Sequence, residues 1–194
     1  MPYMIKVTFD IETKNFFDTV HTNNPADLDI SVVCLHRSDT DQYYSFTEEQ
    51  FPDMWQHFSD ADVLITYNGN HFDIPCLQTY APLDLKAIRH IDMFEDARKA
   101  TGKRLGLDGI AQATLGISKS GHGSDAIAWW NAGEVQKIID YCLQDVKVTK
   151  EVYDYALEHS MLKYTDRDTG EVVEMQINTE FWEDNQPPAQ AGLF

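Results

Sequence analysis

Basic side chains are scarce in this 194-residue chain. Fifteen Lys and Arg stand against 32 Asp and Glu, a formal net charge of −17. That balance excludes a general nucleic-acid coat, because backbone binding rests on Lys and Arg. Cysteine is scarce as well. Cys34, Cys76 and Cys142 are widely separated, each inside an apolar run. Their spacing excludes a thiol zinc site and a disulfide framework, so they read as buried free thiols of a reducing compartment, which predicts a cytoplasmic protein. No apolar run approaches the ~18 residues of a membrane span, and the first residues lack the apolar stretch of a signal peptide. No internal repeat is visible. The seven histidines show no ligand spacing.

What is present is a globular composition, 43% hydrophobic and 12% aromatic, in a length suited to one domain with a real core. The charge is uneven. Residues 1–85 carry three basic and 14 acidic groups, whereas residues 86–124 carry seven basic and four acidic. The basic stretch holds Lys86, Arg89, Arg98, Lys99, Lys103, Arg104 and Lys119, and it is where phosphate contacts are expected, if its lysines do more than face water.

From Ile5 to Glu12 the chain alternates strictly, with Ile5, Val7, Phe9 and Ile11 on one side and Lys6, Thr8, Asp10 and Glu12 on the other. This is a strand, and it aims both acids the same way. Two residues of rise separate them by roughly 6.6 Å, close enough to share a metal pair about 3.5–4 Å apart. Taken alone, the same pattern describes a half-buried strand with a solvated polar face. Residues 14–28 read as a loop. Residues 29–35 and 43–46 read as two more strands in a meander with the first, and 48–59 as an amphipathic helix. Residues 63–67 form a short β-rich run ended by the turn Asn68-Gly69-Asn70; a short helix follows near Pro75. A fifth strand is expected at 90–94, a helix at 107–115, a flexible Ser/Gly-rich segment at 118–124, and a long helix at 132–159. Residues 163–177 suggest a hairpin. Together these predict an α/β domain over 1–160, a mixed sheet of about five strands flanked by helices, then a β-hairpin extension at 161–180 and a disordered tail at 181–194.

Two further acids join the first pair. Asp73 falls at a strand-to-helix junction, where α/β folds place ligand-binding groups, although an acid there is also an ordinary helix N-cap. Asp145 lies on the long helix with Tyr141 four residues earlier on the same face. Phe9-Asp10-Ile11-Glu12-Thr13, then Tyr67-Asn68-Gly69-Asn70-His71-Phe72-Asp73-Ile74-Pro75, then Tyr141-Cys142-Leu143-Gln144-Asp145 resemble the three motifs of the DEDD exonuclease superfamily. The Tyr-x-x-x-Asp form of the third is similar to its tyrosine-bearing branch, as in YprB-type ribonuclease-H-like exonucleases and family-B polymerase proofreading domains. The resemblance spans about residues 4–157. It implies a ribonuclease-H-like fold and a two-metal 3′–5′ exonuclease, with Asp10, Glu12, Asp73 and Asp145 as ligands and Tyr141 positioning the attacking water. Oxygen-only ligands suit Mg²⁺ or Mn²⁺, and two such ions relieve the repulsion among four carboxylates. Thr13 and Phe72 match positions that contact the terminal nucleotide; Phe72 reads equally as core. Asn68 is expected to hold the second motif's loop, and Lys119 to reach a phosphate. Trp129 and Trp130 either stack a base or pack the long helix.

The chain ends Gln190-Ala191-Gly192-Leu193-Phe194, similar to the Gln-x-x-Leu-Phe peptide by which bacterial replication and repair proteins dock on the sliding clamp. Gln190, Leu193 and Phe194 would carry that contact, and a tether of this kind raises effective concentration at DNA. The expected partner is therefore nucleic acid, DNA before RNA, and not a membrane. An RNA-trimming exonuclease of the same fold and a non-catalytic adaptor are the alternatives; the intact acid set argues against the adaptor.

Overall fold

The computed structural model describes residues 4–117 and 123–184. Its centre is β1 (Lys6–Thr13), flanked by β2 (Ile30–Arg37) and β3 (Gln42–Thr47) on one side and by β4 (Val63–Thr66) and β5 (Arg89–Asp92) on the other. The order is β3-β2-β1-β4-β5, antiparallel from β3 to β1 and parallel from β1 to β5. The sheet therefore changes character at β1. The C-terminal ends of β1, β4 and β5 open on one edge, the place where parallel sheets hold ligands.

Alternation in β1 decides what each face buries. Val7, Phe9 and Ile11 join Met54 and Phe58 of α2 (Phe51–Ser59) and Ile74 and Leu77 of α3 (Asp73–Gln78) in one core. Phe9 meets Phe58 edge-on, with ring centroids 5.1 Å apart. Each such apolar side chain contributes about 1.5–3 kcal/mol on burial. The opposite face is covered by the 25-residue α7 (Val135–His159), so the polar side of β1 is not solvated, as an isolated alternating strand allows. Thr8 and Glu12 are buried there. Of the two readings of the alternating strand, the solvated face is thereby excluded, and this follows from β1 lying at the sheet's centre.

Several elements differ locally from the sequence reading. The expected loop at 14–28 contains the one-turn α1 (Phe17–Val20) and a 3₁₀ turn at Pro25–Asp27. The strand expected at 90–94 stops at Asp92, whose side chain accepts from the Phe94 amide and starts α4 (Met93–Thr101). Arg98 and Lys99 fall in that helix's last turn, where cations favour the carbonyl end. After α5 (Leu107–Leu115), part of the expected flexible segment belongs to α6 (Gly123–Asn131). α7 begins at Val135, beyond Gly133 at φ 72°.

The hairpin forms as β6 (Met161–Thr165) and β7 (Val172–Gln176), a two-stranded sheet of its own. It shares a core with the main domain, where Leu162, Tyr164, Met175 and Ile177 pack with Val63, Ile65 and Val152. The same core takes Trp182, stacked on Tyr153 at 5.1 Å, while Glu183 pairs with Lys6 at 2.8 Å. Residues 181–184 thus belong to the folded unit and not to the expected tail, because an indole buried against a tyrosine outweighs the polarity of its neighbours. All three cysteines are free and buried. No described helix is long and apolar enough to cross a membrane.

Candidate active site

At the C-terminal end of β1, Asp10 and Glu12 point toward α7. The helix answers with Asp145 and, one turn earlier, Tyr141, each 6% exposed. One carboxylate oxygen from each of Asp10, Glu12 and Asp145 lies within 4.8 Å of the others. Cys142, on the same stretch of helix, locks α7 to the strand, its thiol donating to the Asp10 carbonyl at 3.4 Å and to Asp10 Oδ2 at 3.6 Å. Trp129 of α6 closes over Tyr141 edge-on at 5.9 Å. Trp129 and Trp130 both pack against the cluster of Ile138, Cys142 and Val146, and Lys14 Nζ lies 5.0 Å above the Trp130 ring.

Asp73 stands next to this trio but is oriented differently. It is the first residue of α3, and its Oδ1 accepts from the Ile11 amide at 3.2 Å, the backbone link between Asp10 and Glu12. Burial raises its carboxyl to about 7, reinforced by the nearby Asp92 and Asp145 charges. Three of the four expected ligands converge directly; the fourth is tied to the strand that carries two of them.

The turn ahead of Asp73 is tightly specified. Asn68 adopts a left-handed conformation at φ 73°, and its side-chain oxygen is buried without a hydrogen-bond partner. A Cβ on Gly69 would sit 2.2 Å from Thr66 Oγ1, so only glycine fits, and the Gly69 amide instead donates to that hydroxyl at 3.1 Å. His90 stands 2.8 Å from the same hydroxyl, and burial lowers its pKa to about 4.

Asp92 is the residue that sequence reasoning missed. Only 3% exposed, it accepts from the Asn68 amide at 2.7 Å, the Asn70 amide at 2.9 Å and the Phe94 amide at 3.1 Å. One carboxylate thereby fixes the turn before Asp73 and the start of α4. Asp92 followed by Glu95 has the spacing of a helix start, the signal that could have revealed it.

Two hollows flank the acids. One, about 410 Å³, is lined by Asp10, Tyr67, Asn68, Phe94, Arg104 and Asp145, with Leu105, Gly106 and Leu107. The other, about 250 Å³ and largely apolar, has Ile11, Glu12, Thr13, Phe16, Phe17, Phe72 and Ile127 among its walls. Thr13 and Phe72 line this hollow together with Glu12. A register shift after Glu12 re-aims Thr13, leaving Ser31 to donate from its hydroxyl to the Glu12 carbonyl at 3.0 Å. Lys119, Gln190, Leu193 and Phe194 lie outside the described residues.

A family model described as RNase_H superfamily matches residues 7–157. The chain belongs to this superfamily. A DNA polymerase of Thermococcus aggregans is 28% identical over 123 residues, taking in 48% of this chain and 7% of the polymerase. One from Pyrococcus horikoshii is 28% identical over 121 residues, 48% of this chain and 10% of that one. The chain thus corresponds to a small part of the polymerases it matches. In structure, the family B DNA polymerase of the archaeon Pyrobaculum calidifontis overlays 80% of this chain with 25% of its own length, at a TM-score of 0.63 and 19% identity. The fold is RNase H-like. Nucleases of this fold generally use divalent metals, and the all-oxygen set of Asp10, Glu12 and Asp145 fits a hard divalent cation.

Proposed function

We propose that this chain is a metal-dependent 3′–5′ exonuclease acting on single-stranded or frayed DNA ends. The observation that carries this reading is the convergence of the Asp10, Glu12 and Asp145 oxygens within 4.8 Å at the open edge of an RNase H-like sheet. Kinship to DNA polymerases favours DNA over RNA. Asp10, Glu12, Asp145 and the adjacent Asp73 would hold two Mg²⁺ or Mn²⁺ ions. When bound, the cations neutralise phosphate charge and activate water for attack.

The chain's own groups do the rest. Tyr141, one turn before Asp145 on α7, orients the attacking water; a phenol with a reference pKa of ~10 is a poor base at neutral pH. Thr13 and Phe72 receive the terminal nucleotide in the apolar hollow beside Glu12. Asn68, half-buried where it lines the cleft, holds the second motif's loop, and Lys119 meets a phosphate. Gln190, Leu193 and Phe194 tether the enzyme to a sliding clamp.

The test is digestion of 3′- and 5′-labelled single-stranded DNA and RNA with Mg²⁺ or Mn²⁺, and then with EDTA. The expected result is loss of the 3′ label first, on DNA, abolished by EDTA and by Asp10→Ala. Equal digestion by Asp10→Ala would sink the proposal, and preferred digestion of RNA would move the substrate to the alternative polymer.

A further inference from the structure

The basic stretch of the sequence resolves into side chains with different surroundings. Lys99 pairs with Asp96 at 3.1 Å and Lys103 with Asp166. Arg89 donates to the Asp184 carbonyl. Arg104 is placed otherwise. It is exposed and lines the hollow of about 410 Å³ that also holds Asp10 and Asp145, the one cation among that hollow's lining residues.

Its position is fixed from below. The guanidinium carbon lies 5.2 Å from the centroid of the Phe94 ring, a cation–π distance. Phe94 is 6% exposed and packs edge-on against Tyr67 at 5.9 Å. The Tyr67 hydroxyl in turn donates to the Leu105 carbonyl at 2.7 Å, so the backbone next to Arg104 is anchored to the wall of the cleft. In a chain with 32 acids and 15 bases, a cation at the acid cleft finds carboxylates easily, yet none of the ion pairs among the described residues involves Arg104. A guanidinium supported on a ring at the wall of a cleft is suited to a phosphate, which it can grip with two parallel hydrogen bonds.

We propose that Arg104, held over Phe94, binds a backbone phosphate adjacent to the one being cut. This rests on the nuclease reading above. The phosphate under attack lies against Asp10, Glu12 and Asp145. Arg104 lines the same hollow from the segment between α4 and α5, with Phe94 beneath it, and there meets the neighbouring phosphate of the strand. The contact supplies local positive charge where a chain of net charge −17 must admit a polyanion.

The experiment uses the full chain, wild type against Arg104→Ala and Arg104→Lys. Binding of a short 5′-labelled single-stranded DNA is read by fluorescence anisotropy across a salt series, with Ca²⁺ in place of Mg²⁺ and the DNA checked intact on a gel. Arg104→Ala is expected to weaken binding about tenfold or more. The slope of log affinity against log salt should fall by about 0.7, the signature of one lost phosphate contact on a single strand. Lysine should restore the slope and only part of the affinity. With Mg²⁺, the loss in kcat/KM should be at least tenfold greater on an oligonucleotide than on a dinucleotide, which has a single phosphodiester. An unchanged affinity and slope, or equal losses on both substrates, would overturn the assignment. Failure of the nuclease reading looks different: wild type then cuts neither substrate, whatever Arg104 does to binding. Arg104 is exposed, so the variants are expected to fold, and matched melting temperatures check that.

Discussion

The two ends of β1 lie under the same helix and arrange their acids differently. At the Lys6 end, a cavity of about 300 Å³ is bordered by Lys6, Thr8, His36 and Lys150. Acids there stand against basic side chains: Glu183 faces Lys6 at 2.8 Å, Asp154 faces Lys150 at 2.6 Å and Asp41 faces the His36 ring at 2.9 Å. At the Glu12 end, six residues away, three carboxylates gather within 4.8 Å of one another and a fourth is buried beside them with its pKa raised to about 7. Compensated charge at one end is ordinary surface chemistry. Concentrated like charge at the other costs stability and persists where something positive binds. The contrast, more than the presence of acids, separates a site from a surface in so acidic a chain.

The largest effect is expected at Asp145. Asp145→Asn keeps the shape and removes a charge. Hydrolysis should fall at least about 100-fold, while the metal-free protein should melt about 2–4 °C higher, corresponding to ~1 kcal/mol of relieved repulsion. Calorimetry in EDTA reads the second effect, and a lower melting temperature would mean that the carboxylate is held there for structural reasons. The opposite end should respond weakly. Lys150→Ala breaks a half-exposed pair with Asp154 four residues on, and its expected cost is below about 1 kcal/mol, with hydrolysis within about twofold of wild type.

Much of this was legible in the sequence for a physical reason. Strict alternation makes β1 readable, and its register puts Asp10 and Glu12 on one face whatever surrounds them. The third motif is readable because Tyr141 and Asp145 are one turn apart. What alternation does not tell is which face gains a roof; the burial of Glu12 depends on α7, which arrives more than 120 residues later. α4 stayed hidden because Met93 and Phe94 extend the apolar pattern of β5, so that Asp92 resembles a strand acid and not a helix start. Arg104 stood out only as one basic residue among seven. Its place at the cleft depends on Phe94 and on the Tyr67–Leu105 bond, contacts that join segments up to 38 residues apart. Lone side chains aimed by tertiary contacts are invisible to periodicity.

The acid end of β1 is proposed to hold cations. Electron paramagnetic resonance of added Mn²⁺ tests this without any substrate, by counting ions bound per chain. Two ions are expected for the wild type, with loss of this binding in Asp10→Ala. Equal Mn²⁺ binding by the two proteins would contradict the proposal.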